Sequence, residues 1–284
     1  MDKIAIIGLV GKTIFMEVPR FHKGGETIVA KDIHEEWGGK GFNQAIAAAR
    51  QDAAVSFLGA ASAADAKAIT DFCRAEGVTA KMCVKKQATA CAAILTDGTG
   101  ETRVTVYPGA QLSAKDVDGF AGSIATADFL LLNNEVPEEV NLAAVEIAKH
   151  YGVKIIFNPA PARKLPKAIV ENVSIFTPNE FEEASVGRGE DAASTCAEVV
   201  TTLGAKGCRI RSTGEVIPAP EVKAVDSTGA GDTFNAVLAT RLSEGESLRD
   251  ACVAANAAAA QSVAVKYVLP SLPFRQTSNI KPQT

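Results

Sequence analysis

The stretch Asp226-Ser227-Thr228-Gly229-Ala230-Gly231-Asp232-Thr233-Phe234 joins a run of small residues to the start of a predicted helix. Apolar residues recur at helical spacing after it, which predicts a helix from about Asp232 to Glu244. The first amides of a helix lack intrahelical acceptors and lie at the positive end of the helix dipole. Because the preceding residues carry little side chain, an anionic group can approach these amides closely. The stretch therefore predicts an anion hole formed by the amides of Gly229, Ala230, Gly231 and Asp232.

Asp232 lies in the same turn, where its carboxylate would repel a resting phosphate. We therefore interpret this acid as acting on the other reactant, by accepting a hydroxyl proton while a phosphoryl group is transferred. An ordinary aspartate pKa of about 3.9 leaves the carboxylate ionised at neutral pH. The alternative is that Asp232 only caps the helix after a glycine turn.

A second glycine-rich motif, Gly38-Gly39-Lys40-Gly41-Phe42-Asn43, precedes a predicted helix near Phe42–Gln51. Its paired glycines allow a polyhydroxyl ligand to lie against bare backbone. Asn43 offers a donor and an acceptor to neighbouring hydroxyls, and Lys40 can meet negative charge. Alone, this motif is as consistent with a tight turn as with a binding site.

Together the two motifs resemble the two signatures of the ribokinase/PfkB carbohydrate-kinase family. Further similar segments extend over nearly the whole chain, including Gly25-Glu26-Thr27, Pro108-Gly109-Ala110, Asn158-Pro159-Ala160-Pro161 and Thr177-Pro178-Asn179-Glu180. The resemblance implies ATP-dependent phosphoryl transfer to an alcohol group of a sugar or sugar-like molecule, assisted by Mg²⁺. It also implies that Asp232 is the general base.

The resemblance assigns roles to further residues. The acceptor would be bound by Gly38, Gly39, Lys40, Asn43, Glu135 and Asp232. The nucleotide would be bound by Asn179, Thr202, Gly204 and Asn256, and Glu182 would hold Mg²⁺ through water. Members that use K⁺ bind it near Asp226 and Thr228 and near the segment at Tyr267. Because Tyr267-Val268 replaces a usual Gly-Ala pair, K⁺ stays an open alternative.

The acceptor side departs from the family pattern. Gly11 and Thr13 stand where an asparagine and an aspartate usually hold the sugar, and losing a buried hydrogen bond costs about 1–3 kcal/mol. Free ribose is therefore not the expected acceptor, and Lys12 favours an anionic or phosphorylated one. A nucleoside is another alternative, as is a relative that binds sugar or nucleotide as a sensor without turnover. The segment Asp191–Thr202 is also shorter than the family pattern.

Short apolar runs alternate with helical patterns, which predicts an α/β fold with a mostly parallel sheet covered by helices on both faces. The predicted strands are Lys3–Gly8, Val55–Leu58, Phe129–Asn133, Val153–Asn158, Val173–Thr177 and Val199–Leu203. The remaining predicted helices are Ala64–Glu76 and Glu138–Tyr151. We expect residues 1–284 to form a single ribokinase-like domain.

Stretches at about 12–36 and 80–107 break this rhythm with strand-like alternation. We predict that they form a small β lid, which the resemblance makes a homodimer interface as well. The alternative is an edge hairpin with no gating role.

Composition limits the possible partners. A net charge of −4 without a clustered basic face argues against nucleic acid. The six cysteines form no CxxC pair, so we expect reduced thiols and no metal centre built from them. No apolar run approaches the roughly 20 residues of a membrane span, and the N-terminus does not resemble a signal peptide. We therefore expect a cytoplasmic protein that does not bind membranes.

Overall fold

A nine-stranded central sheet organises the fold. It is seen in a computed structural model that describes residues 3–99, 101–187 and 198–275. Numbered in chain order, its strands are β1 (Lys3–Ile7), β4 (Ala54–Ser62), β5 (Val78–Lys85), β8 (Phe129–Asn133), β9 (Lys154–Asn158), β10 (Ile175–Phe176), β11 (Glu198–Thr202), β12 (Cys208–Ile210) and β13 (Val216–Ile217).

The strands lie in the order β13-β12-β11-β10-β9-β8-β1-β4-β5. In this order, every neighbouring pair from β11 through to β5 at the far edge is parallel. β12 pairs antiparallel with both β11 and β13. Alternate residues of β1 face opposite sides: Ile4 and Ile6 pack in one buried apolar cluster, and Ala5 and Ile7 in another. Both faces of the sheet are therefore covered, and the predicted mostly parallel α/β fold is confirmed.

Helices supply the outer layers. One face is covered by α1 (Lys40–Arg50), α2 (Ala66–Ala75), α8 (Ala230–Ser243) and α9 (Leu248–Ser262), and the other by α3 (Ala114–Asp118), α4 (Ala121–Ala125), α5 (Glu138–Tyr151) and α6 (Lys167–Val170). Two further helices are α7 (Glu180–Gly187) and α10 (Val268–Ser271). No helix within these described residues is long and apolar enough to cross a membrane.

A separate small sheet has the order β3-β2-β6-β7. Its strands are β2 (Gly11–Glu17), β3 (Asp32–Gly38), β6 (Ala90–Thr96) and β7 (Thr102–Tyr107). The predicted lid stretch 80–107 needs correction, because Val78–Lys85 pairs with β4 at the edge of the central sheet. A half-exposed edge strand shows the same alternation as a lid strand, so the pattern alone did not separate them.

Most predicted elements are found with small shifts at their ends. Phe129–Asn133 and Glu138–Tyr151 have the predicted bounds, and the helix expected from Asp232 begins at Ala230. The predicted strand Val173–Thr177 is shorter, at Ile175–Phe176. Of the shortened segment, residues 191–197 lie outside the described residues, and the rest forms β11.

Two glycines set how closely the first motif helix approaches the sheet. A Cβ on Gly8, just after β1, would lie 2.5 Å from the Cα of Gly41 in α1. That contact is backbone and cannot rotate away. The close approach brings the start of α1 to the carboxyl end of β1, where the candidate site lies.

We expect Gly8→Ala to lower the free energy of unfolding by about 1–3 kcal/mol, because the new methyl group overpacks this contact. Chemical denaturation would measure the change. The control is Gly122→Ala in α4, where an added Cβ meets no atom within 4 Å. That control should be neutral or slightly stabilising, and equal behaviour of the two variants would contradict the packing argument.

Candidate active site

The candidate site lies at the carboxyl ends of the parallel strands, where α/β sheets commonly bind ligands. Glu135 follows β8, Asn158 ends β9, Thr177 follows β10 and Thr202 ends β11. The N-terminus of α8 points into the same region. Residues far apart in the sequence therefore meet at one edge of the sheet.

Two cavities meet at this edge. The first, of about 290 Å³, lies between the start of α1 and the small sheet, and Glu135 lines it. The second, of about 310 Å³, is lined by residues that include Asn179, Glu182 and Thr202. The residues that line both cavities are Lys40, Thr228, Gly229 and Asp232. All six predicted acceptor residues thus line the first cavity, and three of the predicted nucleotide and magnesium residues line the second.

Asp232 lies buried at the junction, with 4% of its surface exposed. Its carboxylate accepts hydrogen bonds from Asn43 Nδ2 at 2.9 Å and from Gln44 Nε2 at 3.2 Å. Burial raises the pKa of Asp232, while the charge of Lys40 and the two amide donors oppose the increase. The cap interpretation is wrong, because Gly229 is the N-cap and α8 has no side-chain cap.

Lys40 lies among three acids. The Asp232 carboxylate raises the pKa of Lys40, burial opposes the increase, and Glu135 and Glu182 add to it. Glu135 Oε2 also accepts a hydrogen bond from the Lys40 backbone amide at 2.6 Å. Burial raises the pKa of Glu135 to about 7, with Lys40 opposing the increase and Asp232 adding to it. The ammonium group is therefore held charged between the two cavities.

The predicted anion hole has the geometry of a helix start. Gly229 adopts φ 81° and precedes α8, and a Cβ there would lie 2.7 Å from Val268 Cγ1. The amide of Ala230 donates to the Ser227 carbonyl at 3.3 Å. The helical pattern of hydrogen bonds begins with the amide of Thr233, which donates to the Gly229 carbonyl at 2.9 Å. The amides of Gly229, Gly231 and Asp232 have no acceptor within the described part of the chain.

The second cavity contains a reciprocal pair of capping bonds. The Asn179 amide donates to Glu182 Oε2 at 3.0 Å, and the Glu182 amide donates to Asn179 Oδ1 at 2.8 Å. Asn179 also forms an isolated parallel bridge with Thr202. These bonds orient the start of α7 toward the cavity. They explain why Asn179 and Glu182 are three residues apart.

Two predicted nucleotide residues lie elsewhere. Asn256 is buried and donates from Nδ2 to the Ile217 carbonyl at 2.9 Å, and Gly204 opens a short 3₁₀ turn at Gly204–Lys206. Neither lines the two cavities. Their nucleotide contacts stay predictions.

The predicted cation residues Asp226 and Thr228 are joined by a hydrogen bond. Asp226 Oδ1 accepts from the Thr228 amide at 2.9 Å, and Oδ2 accepts from the Tyr267 amide at 3.0 Å. Tyr267 has φ 70°, a conformation that favours glycine. Its ring stacks on His34 of β3 with centroids 3.8 Å apart. Potassium binding near Asp226 and Thr228 stays a prediction.

Sequence reasoning missed Glu36, which joins the small sheet to this segment. Its side chain is 5% exposed. Oε1 accepts from the Val268 amide at 2.9 Å, and Oε2 accepts from the Leu269 amide at 3.2 Å. Gln44 was also missed, although it adjoins Asn43 in the motif. A polar residue on the buried face of a helix was the available signal for Gln44.

Comparison with known proteins identifies the family. The profile of the pfkB family carbohydrate kinases matches residues 1–275. The chain belongs to the pfkB family of carbohydrate kinases. The enzyme class expected from the sequence, a phosphotransferase acting on a carbohydrate, is thereby confirmed.

The similarity extends over whole chains. Ribokinase of Haemophilus influenzae is 35% identical over 294 residues, which cover 96% of each protein. The ribokinase structure from Thermotoga maritima matches with a TM-score of 0.86 at 30% identity and covers 97% of each chain. Arabidopsis thaliana ribokinase in complex with ribose and ATP matches with a TM-score of 0.82 at 28% identity, covering 96% of this chain and 95% of that one. The expected ribokinase-like fold is confirmed.

Glu135 predicts a pH effect on stability. Its pKa of about 7 in the folded protein exceeds the ordinary 4.5, so between these values the folded state binds more protons than the unfolded state. Its contribution to the free energy of unfolding therefore falls as pH rises through this window. Relative to Glu135→Gln, we expect the free energy of unfolding of the unsubstituted protein to fall by on the order of 1–3 kcal/mol between about pH 4.5 and about pH 7.

Denaturant unfolding at several pH values would measure this difference. The control is Glu139→Gln, an exposed glutamate in the first turn of α5, which should track the unsubstituted protein. A constant difference between Glu135→Gln and the unsubstituted protein across the window would contradict the prediction.

Glu36→Gln should lower the free energy of unfolding by about 1–3 kcal/mol, because one buried backbone amide loses its acceptor. The adjacent Glu35 is exposed, so Glu35→Gln should change stability by no more than about 0.5 kcal/mol. Thermal and denaturant unfolding of both variants would measure the effect. Equal stability of the two variants would show that Glu36 does not hold this segment.

Proposed function

We propose that this protein transfers the γ-phosphoryl group of ATP to an alcohol group of a sugar-like acceptor. One observation carries the proposal: the Asp232 carboxylate lies where two cavities meet, beside the amides at the start of α8 and the Lys40 ammonium. An acceptor in the first cavity and a nucleotide in the second would place the two reactants on either side of Asp232. The Arabidopsis relative, solved with ribose and ATP, supports this arrangement.

In the proposed reaction, Asp232 accepts the proton of the attacking hydroxyl as the bond from oxygen to phosphorus forms and ADP leaves. The raised pKa of Asp232 makes its carboxylate a stronger base than an exposed aspartate. The amides of Gly229, Gly231 and Asp232 stabilise charge on the transferring group. Lys40, which lines both cavities, supplies a positive charge on the path between the reactants.

Mg²⁺ would be held from Glu182 through water and would neutralise charge on the nucleotide phosphates. In the described residues no group of three or more His, Cys, Asp or Glu side chains could cage a metal ion. Mg²⁺ keeps several waters and binds through one or two carboxylates plus substrate phosphates, so it does not need such a cage. Glu182 lines the second cavity, as this role requires.

A phosphorylated acceptor is less well supported than a neutral one. Lys12 Nζ lies 3.0 Å from Asp65 Oδ1, and Asp65 also accepts from the Thr89 hydroxyl at 2.6 Å. The Lys12 charge is therefore already paired beside the first cavity. We accordingly favour an uncharged alcohol as the acceptor.

The second candidate function is a sensor that binds sugar or nucleotide without turnover, for which Gly11 and Thr13 in the acceptor cavity are the supporting observation. The buried Asp232 with two amide donors and a nearby cation favours the kinase.

We also propose a cytoplasmic homodimer that pairs through the small sheet. Its apolar side chains Ile33 and Tyr107, which do not line the acceptor cavity, are more than half exposed.

Asp232→Asn should lower turnover by roughly a hundred- to ten-thousandfold, because the amide cannot accept the hydroxyl proton. Nucleotide affinity should stay nearly unchanged, since the substitution keeps the shape of the side chain. The measurements are acceptor-dependent ADP formation and calorimetric binding of Mg-ADP. Turnover near that of the unsubstituted enzyme would refute the assignment of the base.

The sensor alternative is tested with the unsubstituted protein and a panel of pentoses, hexoses, glycosides and nucleosides. Tight binding without acceptor-dependent ADP formation across this panel would favour the sensor. Acceptor-dependent ADP formation would support the kinase.

A further inference from the structure

The small sheet gives the acceptor cavity an apolar wall. Alternate residues of its strands face the cavity, as the two-residue period of a strand requires. They are Gly11, Thr13 and Phe15 of β2, Ala90, Ala92 and Ile94 of β6, and Val104 and Val106 of β7. Gly11 has no side chain, and the Thr13 hydroxyl is the one polar group among the other seven. Lys12 and Cys91 of the same strands also line the cavity, and the Lys12 ammonium is paired with Asp65.

The backbone of Ala90 leaves no room for a side chain at Gly11 on this wall. Gly11 and Ala90 are partners in the parallel pairing of β2 with β6. A Cβ on Gly11 would lie 2.5 Å from the Ala90 carbonyl oxygen and 2.9 Å from the Ala90 Cβ. Because the closest contact is backbone, a side chain at position 11 would require the two strands to separate. The apolar character of this wall is therefore built into the spacing of the sheet.

The opposite side of the same cavity is polar. Lys40, Asn43, Glu135 and Asp232 line it, and the first two belong to the helix start at Gly38-Gly39. A ligand that fills the cavity thus meets charged and amide groups at one end and aliphatic and aromatic groups at the other. The distribution is amphipathic, with the reaction centre at the polar end.

We propose that the wall of the small sheet is a subsite for an apolar substituent on the acceptor. The proposal rests on the function proposed above. The substrate class is a sugar whose anomeric or equivalent hydroxyl is replaced by an alkyl or aryl group, rather than a free sugar. A hydroxyl placed against this wall would give up its hydrogen bonds to water without a protein partner, whereas an apolar group there is favoured by burial.

Matched acceptors test the proposal. Ribose, methyl riboside and phenyl riboside, and the corresponding glucose series, would be compared by equilibrium binding to the Mg-ADP complex and by kcat/KM with Mg-ATP. We expect the phenyl glycoside to bind at least tenfold more tightly than the free sugar and the methyl glycoside to lie between them. Equal or weaker binding of the glycosides would overturn the proposal.

Binding and turnover separate this proposal from the one on which it rests. Preferred binding of glycosides without phosphorylation would support the subsite and refute the kinase. Phosphorylation with a preference for free sugars would support the kinase and refute the subsite.

A matched pair of variants on β6 locates the subsite. Ala92→Ser with Ile94→Thr adds two hydroxyls to the cavity face. Ala93→Ser with Leu95→Thr makes similar changes at positions that do not line the cavity. The first variant should reduce the preference for phenyl glycoside over free sugar about tenfold, and the second should leave it unchanged. Equal loss in both, or loss in neither, would overturn the assignment. Size measurements on both variants would check that the oligomeric state is unchanged.

Discussion

The burial of one negative charge organises the site. Asp232 has lost nearly all contact with water, which is costly for a carboxylate unless other groups compensate. The chain compensates from α1, where Lys40 supplies a positive charge and Asn43 and Gln44 each donate an amide hydrogen bond. In doing so, the oxygens Asn43 Oδ1 and Gln44 Oε1 are left buried without a partner in the described chain. The fold accepts that cost to hold the Asp232 carboxyl group between two cavities.

The same need explains why the two glycine motifs depend on each other. The amide groups that stabilise Asp232 lie in α1, and their distance from α8 is set by how closely α1 packs on β1. Gly8 and Gly41 permit that approach through backbone contact. The first motif therefore serves the second one as well as the acceptor, and neither forms a working site alone.

A second set of contacts ties the small sheet to the anion hole. Glu36 on β3 accepts from the first amides of α10, and the preceding Tyr267 amide donates to Asp226. Val268 in turn packs against Gly229. Displacement of the small sheet would therefore be transmitted to the turn before α8 through short, buried contacts. The stacking of Tyr267 on His34 holds a non-glycine residue in a backbone conformation that ordinarily costs about 1–3 kcal/mol.

Much of the fold and part of the site could be predicted from the sequence because their signals are local. Buried parallel strands read as apolar runs, and the anion hole and Asp232 lie within one turn of chain. Glu36 could not be found this way, since its partners are two backbone amides more than 200 residues further along. β5 was assigned to the lid because an edge strand and a lid strand share one pattern. Asn256 was assigned a nucleotide contact, whereas its Nδ2 donates to the Ile217 carbonyl. No spacing in the sequence reveals that partner.

The division into two sheets explains how the acceptor side can depart from the family pattern. Strands β9, β10 and β11 build the second cavity as part of the central sheet, where a change of backbone would disturb both buried clusters. The acceptor wall belongs to a separate four-stranded sheet, whose residues can change with fewer consequences for the core. Gly11 and Ala90 illustrate such a change, because the Cβ missing from β2 leaves the room that the Ala90 backbone occupies. Acceptor choice can therefore diverge on the small sheet while the base, the cation and the anion hole remain fixed by the central one.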